Sequence, residues 1–426
     1  MSASRWRELT RIDVPAAGAW LPDLLARNAH CAYLRGRTFD ELPIVTYDDL
    51  VPWIERIVDG ESDVLFAGRP VAYERTSGSS GAAKLIPYSA EGLCDFQRSV
   101  VPWLARTVRD YDIRGSAYFA LSPATRPPES IGGVPVGLPD GAYLGDAAAR
   151  VLAEVSAVPI EVATITDVAK WRDVTLHHLA SARDLELISV WSPTFLLRLL
   201  DDLDDPVKLW PNLKLVSCWA SAASKPFAAE LAARLPHATL QPKGLLSTEC
   251  VVTIPAPLSP PRGERVAEGR VRGDACRMAP LIRRFAAPSP RKRGEGPGAV
   301  LTPHGYFEFD DGEVIATTAS GLYRYRTGDL LRDGEFAGRK GIVSDLVGEK
   351  LTEPFVARCL ENVRGYLFAE GRGYVVASET AVDLDDIERK LCANPHYEYA
   401  RKLGQLTSLR ARYVKSDITK PIALRP

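Results

Sequence analysis

Between Thr76 and Lys84 the chain reads Thr-Ser-Gly-Ser-Ser-Gly-Ala-Ala-Lys, and these residue types in this order suit a polyphosphate. Gly78 and Gly81 let the backbone turn tightly and bring N–H groups close to an anion. The hydroxyls of Thr76, Ser77, Ser79 and Ser80 add neutral donors, and Lys84 adds a compact positive charge. A Gly/Ser linker has a similar composition, but linkers rarely set a lysine beside an apolar run such as Leu85-Ile86. The P-loop of nucleotide kinases is excluded by spacing. It requires Gly-Lys-Ser/Thr, whereas Lys84 stands between Ala83 and Leu85.

Further strings could complete a nucleotide site. Gly244-Leu-Leu-Ser-Thr-Glu-Cys250 follows a β-like segment, so Thr248 and Glu249 can offer a hydroxyl and a carboxylate at a strand exit. Such a carboxylate can hold Mg²⁺ against the phosphates. Tyr325-Arg-Thr-Gly-Asp329 sets an aspartate after a glycine turn, where it can accept both ribose hydroxyls; the same string also makes an ordinary turn. Gly338-Arg339 and Gly348-Glu-Lys-Leu-Thr-Glu353 offer a backbone hinge and a cation that can reach ribose or phosphate.

The elements that must position these groups alternate. Val71–Glu74 is β-prone, and Ser89 can cap a helix through about 108. Strand-like runs at 118–122, 187–191, 213–219 and 237–241 alternate with helical patterns at 146–155, 168–179 (capped by Asp167), 194–203 and 225–235. A helix is also expected over 20–34 and another over 48–58. Alternation of this kind predicts an α/β fold with a parallel sheet. Residues 304–336 turn to short hairpin-like strands. After about 340 a smaller α+β unit follows, with helices at 353–363 and 383–393 and strands near 373–378 and 408–415. The expected domains are 1–340 and a C-terminal lid, 341–426.

The 426 residues suffice for such a core, and no apolar run approaches the ~18 residues of a membrane helix. The N-terminus lacks the apolar centre of a signal peptide, and the seven cysteines are scattered without metal-binding spacing. A reduced, cytoplasmic and monomeric protein is expected. His177-His178 reads as surface, and Trp103, Tyr143, Trp191 and Trp219 read as core rather than pocket. Residues 258–297 depart from the rest. They carry ten basic against four acidic residues, an excess of six positive charges in a chain of net charge −1. Their ends echo each other, Ser259-Pro-Pro-Arg-Gly-Glu-Arg and Ser289-Pro-Arg-Lys-Arg-Gly-Glu. An inserted, largely unstructured segment is expected. A nucleic-acid arm is disfavoured, because Phe285 is the one aromatic among its arginines.

Taken in order, the motifs resemble those of adenylate-forming enzymes, and within them the chain resembles the GH3 family, known for acyl-adenylate amido synthetases. The strings that carry the resemblance are Leu42–Leu50, Ile54–Gly60, Leu209–Lys214, Ser344–Glu353 and the helix of Asp383 to Lys390. It implies a large N-terminal adenylating domain with a mobile lid. It also implies that Thr76, Ser77, Gly78, Ser79, Ser80 and Gly81 wrap the ATP β/γ-phosphates with Lys84 adding charge. Thr248 would contact the α-phosphate, Glu249 would bind Mg²⁺, Asp329 would take the ribose and Arg339 would assist near the hinge, with Ser247 and Tyr325 also at the nucleotide. The family's catalytic C-terminal lysine would fall at Lys420, in a shortened match. Leu245 stands where plant members carry an adenine-stacking tyrosine.

The implied reaction joins a small carboxylic acid to an amine through an acyl-adenylate, using ATP and Mg²⁺. Activation is needed because oxide is a poor leaving group, whereas AMP is a good one. Transfer to a thiol of coenzyme A or a carrier protein is the alternative, as is a nucleotide-binding relative without turnover.

Overall fold

The computed structural model describes residues 2–12, 20–76, 84–124, 127–256, 299–414 and 423–425. The phosphate-loop residues Ser77 to Gly81, the basic segment 258–297 and Lys420 therefore lie outside the described residues.

Four short strands, Ser116–Phe119, Leu185–Ser189, Leu215–Cys218 and Thr239–Pro242, lie side by side in that order and are all parallel. Helices pack against this sheet, and its strands Ser116–Phe119 and Leu215–Cys218 are buried along almost their whole length, as in parallel sheets covered on both faces. The helix Val168–Ser181 starts where Asp167 accepts the Lys170 N–H at 2.7 Å. The helix Ala90–Asp110 starts where Ser89 accepts the Gly92 N–H at 2.9 Å. The fold class is α/β, as the alternation predicts.

A second sheet contains Ala72–Thr76 and Lys84–Tyr88, antiparallel, with Thr76 directly opposite Lys84. A third is a meander of Tyr306–Asp310, Glu313–Thr317, Tyr325–Arg332 and Glu335–Arg339. Thr253–Pro255 and Ala299–Leu301 form a separate antiparallel pair, with Pro255 opposite Ala299. The C-terminal sheet holds Gly365–Glu370, Gly373–Ser378, Arg410–Tyr413 and Leu424–Arg425. One apolar cluster runs from the parallel sheet and its helices (Ile188, Leu196, Val216) into the C-terminal elements (Val356, Tyr374, Tyr397). A polar seam reinforces it: Arg372 reaches Asp201 and Glu230, each at 3.1 Å.

Three local expectations need correction. The helix expected over 20–34 ends at Asn28, whose side chain accepts from the Ala67 N–H and donates to the Tyr323 hydroxyl. Turns after it bury Cys31, Tyr33 and Leu34. The helix expected over 353–363 stops at Cys359. Asp329 stands within a strand rather than after a free turn. Gly328, at φ +76°, lies where the pairing with Glu313–Thr317 slips, a β-bulge that re-aims the residues beside it.

Candidate functional site

The bulge brings Asp329 opposite Arg339 on the neighbouring strand, and the guanidinium Nη2 lies 2.9 Å from the carboxylate Oδ1. Asp329 is buried; burial pushes its carboxyl up while Arg339 and Lys350 pull it back. Arg339 also faces Asp345, Nε to Oδ2 at 3.7 Å.

Glu249 comes to the same place by a short turn. The Ser247 N–H donates to the Cys250 carbonyl at 2.9 Å, the Cys250 N–H donates to the Ser247 hydroxyl at 3.3 Å, and Thr248 and Glu249 lie between. Tyr88 holds the turn from the other side by donating to the Thr248 carbonyl. Burial pushes the Glu249 carboxyl up, but Lys350 and Lys84 outweigh it and hold the group below the usual carboxylate range.

Lys84 begins the strand Lys84–Tyr88. Its ammonium donates to the Tyr325 hydroxyl at 3.1 Å and lies 5.4 Å and 5.7 Å from the ring centres of Tyr47 and Tyr325. Burial draws its pKa down and Glu249 opposes that. Lys350 adopts φ +50°, uncommon for a residue with a side chain, just after Gly348 at φ +105°. Burial and Arg339 lower its pKa, while Glu249 and Asp329 raise it.

Lys84, Thr248, Glu249, Tyr325, Asp329 and Arg339, far apart in the chain, are thus gathered. Lys350 is an addition that sequence reading missed. Its string was visible, but nothing local signals that the backbone reverses there and carries the lysine inward. Of the other expected residues, Thr76 faces Lys84 and Ser247 closes the turn.

Beside this cluster opens a cavity of about 820 Å³, lined at one side by Thr248, Asp329, Arg339 and Lys350. Trp103, Tyr143, Trp191 and Trp219 also line it; Trp103 is buried in the core as expected, whereas Trp191 is exposed and Tyr143 and Trp219 are half-buried, so for these three the reading as core is corrected. Tyr143 donates to Glu74 at 2.5 Å, and Glu74 also accepts the Leu138 N–H at 2.7 Å, fixing that wall. Leu245 belongs to an apolar cluster with Val252, Val314, Ala316 and Leu331, against which Phe336 packs, and both Leu245 and Phe336 line the cavity. His396 and Tyr399 bring the C-terminal elements to its edge.

The Glu249 carboxylate, held ionised by neighbouring cations, fits Mg²⁺, which keeps several waters and takes one or two carboxylates together with phosphate oxygens. His30, Cys31 and Asp63 form another group of suitable atoms, but burial and Asp63 push the Cys31 thiol up to about 11, a poor state for ligation.

Residues 10–208 match the model of the GH3 family N-terminal domain. Indole-3-acetic acid-amido synthetase GH3.15 of Arabidopsis thaliana is 39% identical over 84 residues, 17% of this chain and 14% of that relative. Indole-3-acetic acid-amido synthetase GH3.17 of the same plant is 31% identical over 133 residues, 27% of this chain and 22% of the relative. The matched stretches therefore span less than a quarter of the length of these relatives. A solved structure of a GH3.15 acyl acid amido synthetase superposes with a TM-score of 0.58 at 17% identity, covering 97% of this chain and 87% of that one. A second, of AtGH3.15 acyl acid amido synthetase in complex with 2,4-DB, gives the same score and covers 89% of its chain. At that identity the likeness speaks for the fold. Residues 10–208 are thus similar to the N-terminal domain of the GH3 family, and the fold of the chain agrees with that likeness.

Proposed function

We propose that this chain is a ligase that activates a carboxylic acid with ATP as an acyl-adenylate and passes the acyl group to an amine, forming an amide. The observation that carries the reading is the ring of Lys84, Glu249, Asp329, Arg339 and Lys350 at the edge of an aromatic-lined cavity of about 820 Å³. The names of the curated relatives, amido synthetases, support the amine as acceptor.

In this reading the cavity holds the acid and excludes water, and Thr248 faces the α-phosphate. Ser247 keeps that turn in place. Lys84 and Arg339 neutralise charge that develops as the carboxylate attacks phosphorus and pyrophosphate leaves. Asp329, with Tyr325 beside it, takes the ribose, and its pairing with Arg339 fixes its orientation before nucleotide binds. Glu249 would hold Mg²⁺, which supplies further charge neutralisation at the phosphates. Thr76 and the residues Ser77, Gly78, Ser79, Ser80 and Gly81 would wrap the β/γ-phosphates. Lys420 would act from the C-terminal unit, residues 341–426, as a lid over the body 1–340. No covalent nucleophile is required, because catalysis rests on in-line placement and charge compensation.

Among the described residues no helix is long and apolar enough to cross a membrane. We place the reaction in the cytoplasm with a monomeric enzyme; the free cysteines support a reducing compartment.

Pyrophosphate release is measured against a panel of carboxylic acids, and the products formed with amino acids or coenzyme A are identified by mass spectrometry. Acid-dependent pyrophosphate release with an amide product is expected. A thioester product would overturn the acceptor, and no release with any acid would overturn the activity.

A further inference from the structure

Lys243 follows the strand Thr239–Pro242 and lies on the cavity wall, yet only 9% of it is exposed. Its Nζ is 5.0 Å from the ring centre of Trp103 and 5.0 Å from that of Trp191, so the ammonium is held between two indoles. The Ser189 hydroxyl, 2.8 Å away, takes one of its three N–H groups. Among the described residues the titratable group that faces it is the Cys218 thiol, which burial pushes up to about 12 and so keeps neutral. The indole N–H of Trp103 is buried and also lacks an acceptor among the described residues.

An ammonium out of water without a counter-ion costs several kcal/mol, and aromatic faces repay only part of that. The charge is therefore suited to an anion that arrives with the ligand. It also stands apart from the adenylating cluster. Glu249 is held by Lys350, Lys84 and Arg339, whereas the field at Lys243 comes from burial and Cys218.

We infer that Lys243, clamped by Trp103 and Trp191, binds an anionic group at the end of the substrate remote from the carboxylate to be activated, so the acid this chain takes carries a second negative charge. The inference rests on the acyl-activation reading of the cavity and names its substrate class, a dicarboxylate or similarly doubly anionic acid. The indole planes on either side favour a flat or slender ligand body, and the free ammonium N–H groups supply the specificity. Rejection of singly charged acids follows, because they would leave a buried cation unpaired.

The test is binding without ATP, read by quenching of tryptophan fluorescence. Matched pairs, benzoate with terephthalate and hexanoate with adipate, are titrated into the full chain and into Lys243→Met. Wild-type protein is expected to prefer the dicarboxylate of at least one pair by about tenfold or more, the value of a hydrogen-bonded charge contact. The ratio of the two dissociation constants should collapse toward one in Lys243→Met. It should also fall in the wild type as pH rises beyond about 8, where the ammonium loses its proton. Absence of preference in both pairs, or a preference that persists in Lys243→Met, overturns the inference. Should Lys243→Met fail to fold, Lys243→Arg is expected to keep the preference because it keeps the charge, and a wild-type preference unmoved as pH rises beyond about 8 overturns the inference. Because no ATP is present, failure of adenylation leaves this result standing, and failure here leaves adenylation standing.

Discussion

Asp329 and Arg339 face each other across two strands of one meander, with guanidinium and carboxylate 2.9 Å apart and Asp329 almost wholly enclosed. Removing one partner strands the other. Arg339→Met is expected to cost about 3–5 kcal/mol of stability, the penalty for an uncompensated buried charge. The double variant with Asp329→Asn should recover a large part of it. Chemical denaturation of the two single variants and the double variant measures the coupling; equal additive losses would refute a paired role.

Lys84→Ala and Glu249→Ala are expected to lower acid-dependent ATP–pyrophosphate exchange by about 10² to 10³ each while the protein stays folded. Lys350→Ala should instead move the acid limb of the pH profile upward. Lys350 is the largest charge holding the Glu249 carboxyl below its usual range, and without it Glu249 protonates at higher pH. An unmoved acid limb would remove Lys350 from the site.

Deleting 258–297 should leave a folded, active protein. Pro255 and Ala299 are already paired, and the deletion would join them through Ala256-Pro257-Gly298, a three-residue hairpin connection with glycine at its end. Closing a shorter loop favours the folded state by up to about 2 kcal/mol. Thermal melting and pyrophosphate release of the deletion variant check this; loss of solubility would show that the segment is structural.

Glu349 is buried near the junction with the C-terminal elements. It accepts the Leu346 and Val347 N–H groups, each at 2.8 Å, and the Tyr374 hydroxyl. Burial, with Asp345, pushes its carboxyl up to about 7. A carboxyl raised on folding favours the folded state fully below its unfolded pKa and loses that contribution as pH rises through the folded one. Stability should therefore carry a component that declines between about pH 4.5 and 7, by at most about 1.4 kcal/mol per unit. Melting curves of Glu349→Gln should lack it.

The parallel sheet was legible because buried strands read as continuous apolar runs bounded by turn residues, as at Leu185–Ser189 and Leu215–Cys218. The site was legible where chemistry sits in a short string, as with Thr248-Glu249 or Asp329. It was illegible where tertiary placement decides the role. Trp103 and Trp191 have the same composition and spacing whether they fill a core or wall a cavity. Lys243 looks like any strand-end lysine until Ser189 and two indoles surround it. Lys350 owes its position to a left-handed backbone turn that no hydrophobic period announces.

The pairing of Thr253–Pro255 with Ala299–Leu301 has a topological consequence. Cleavage anywhere between Ala256 and Ala299 would sever the chain without severing the fold. The N-terminal piece keeps the parallel sheet and the turn with Glu249, and the C-terminal piece keeps the meander with Asp329 and Arg339. That two-strand ladder and the apolar cluster from Leu196 to Tyr374 would hold the halves together. The candidate site is thus assembled from two complementary fragments, each silent alone, that a nicked chain would still carry as one particle.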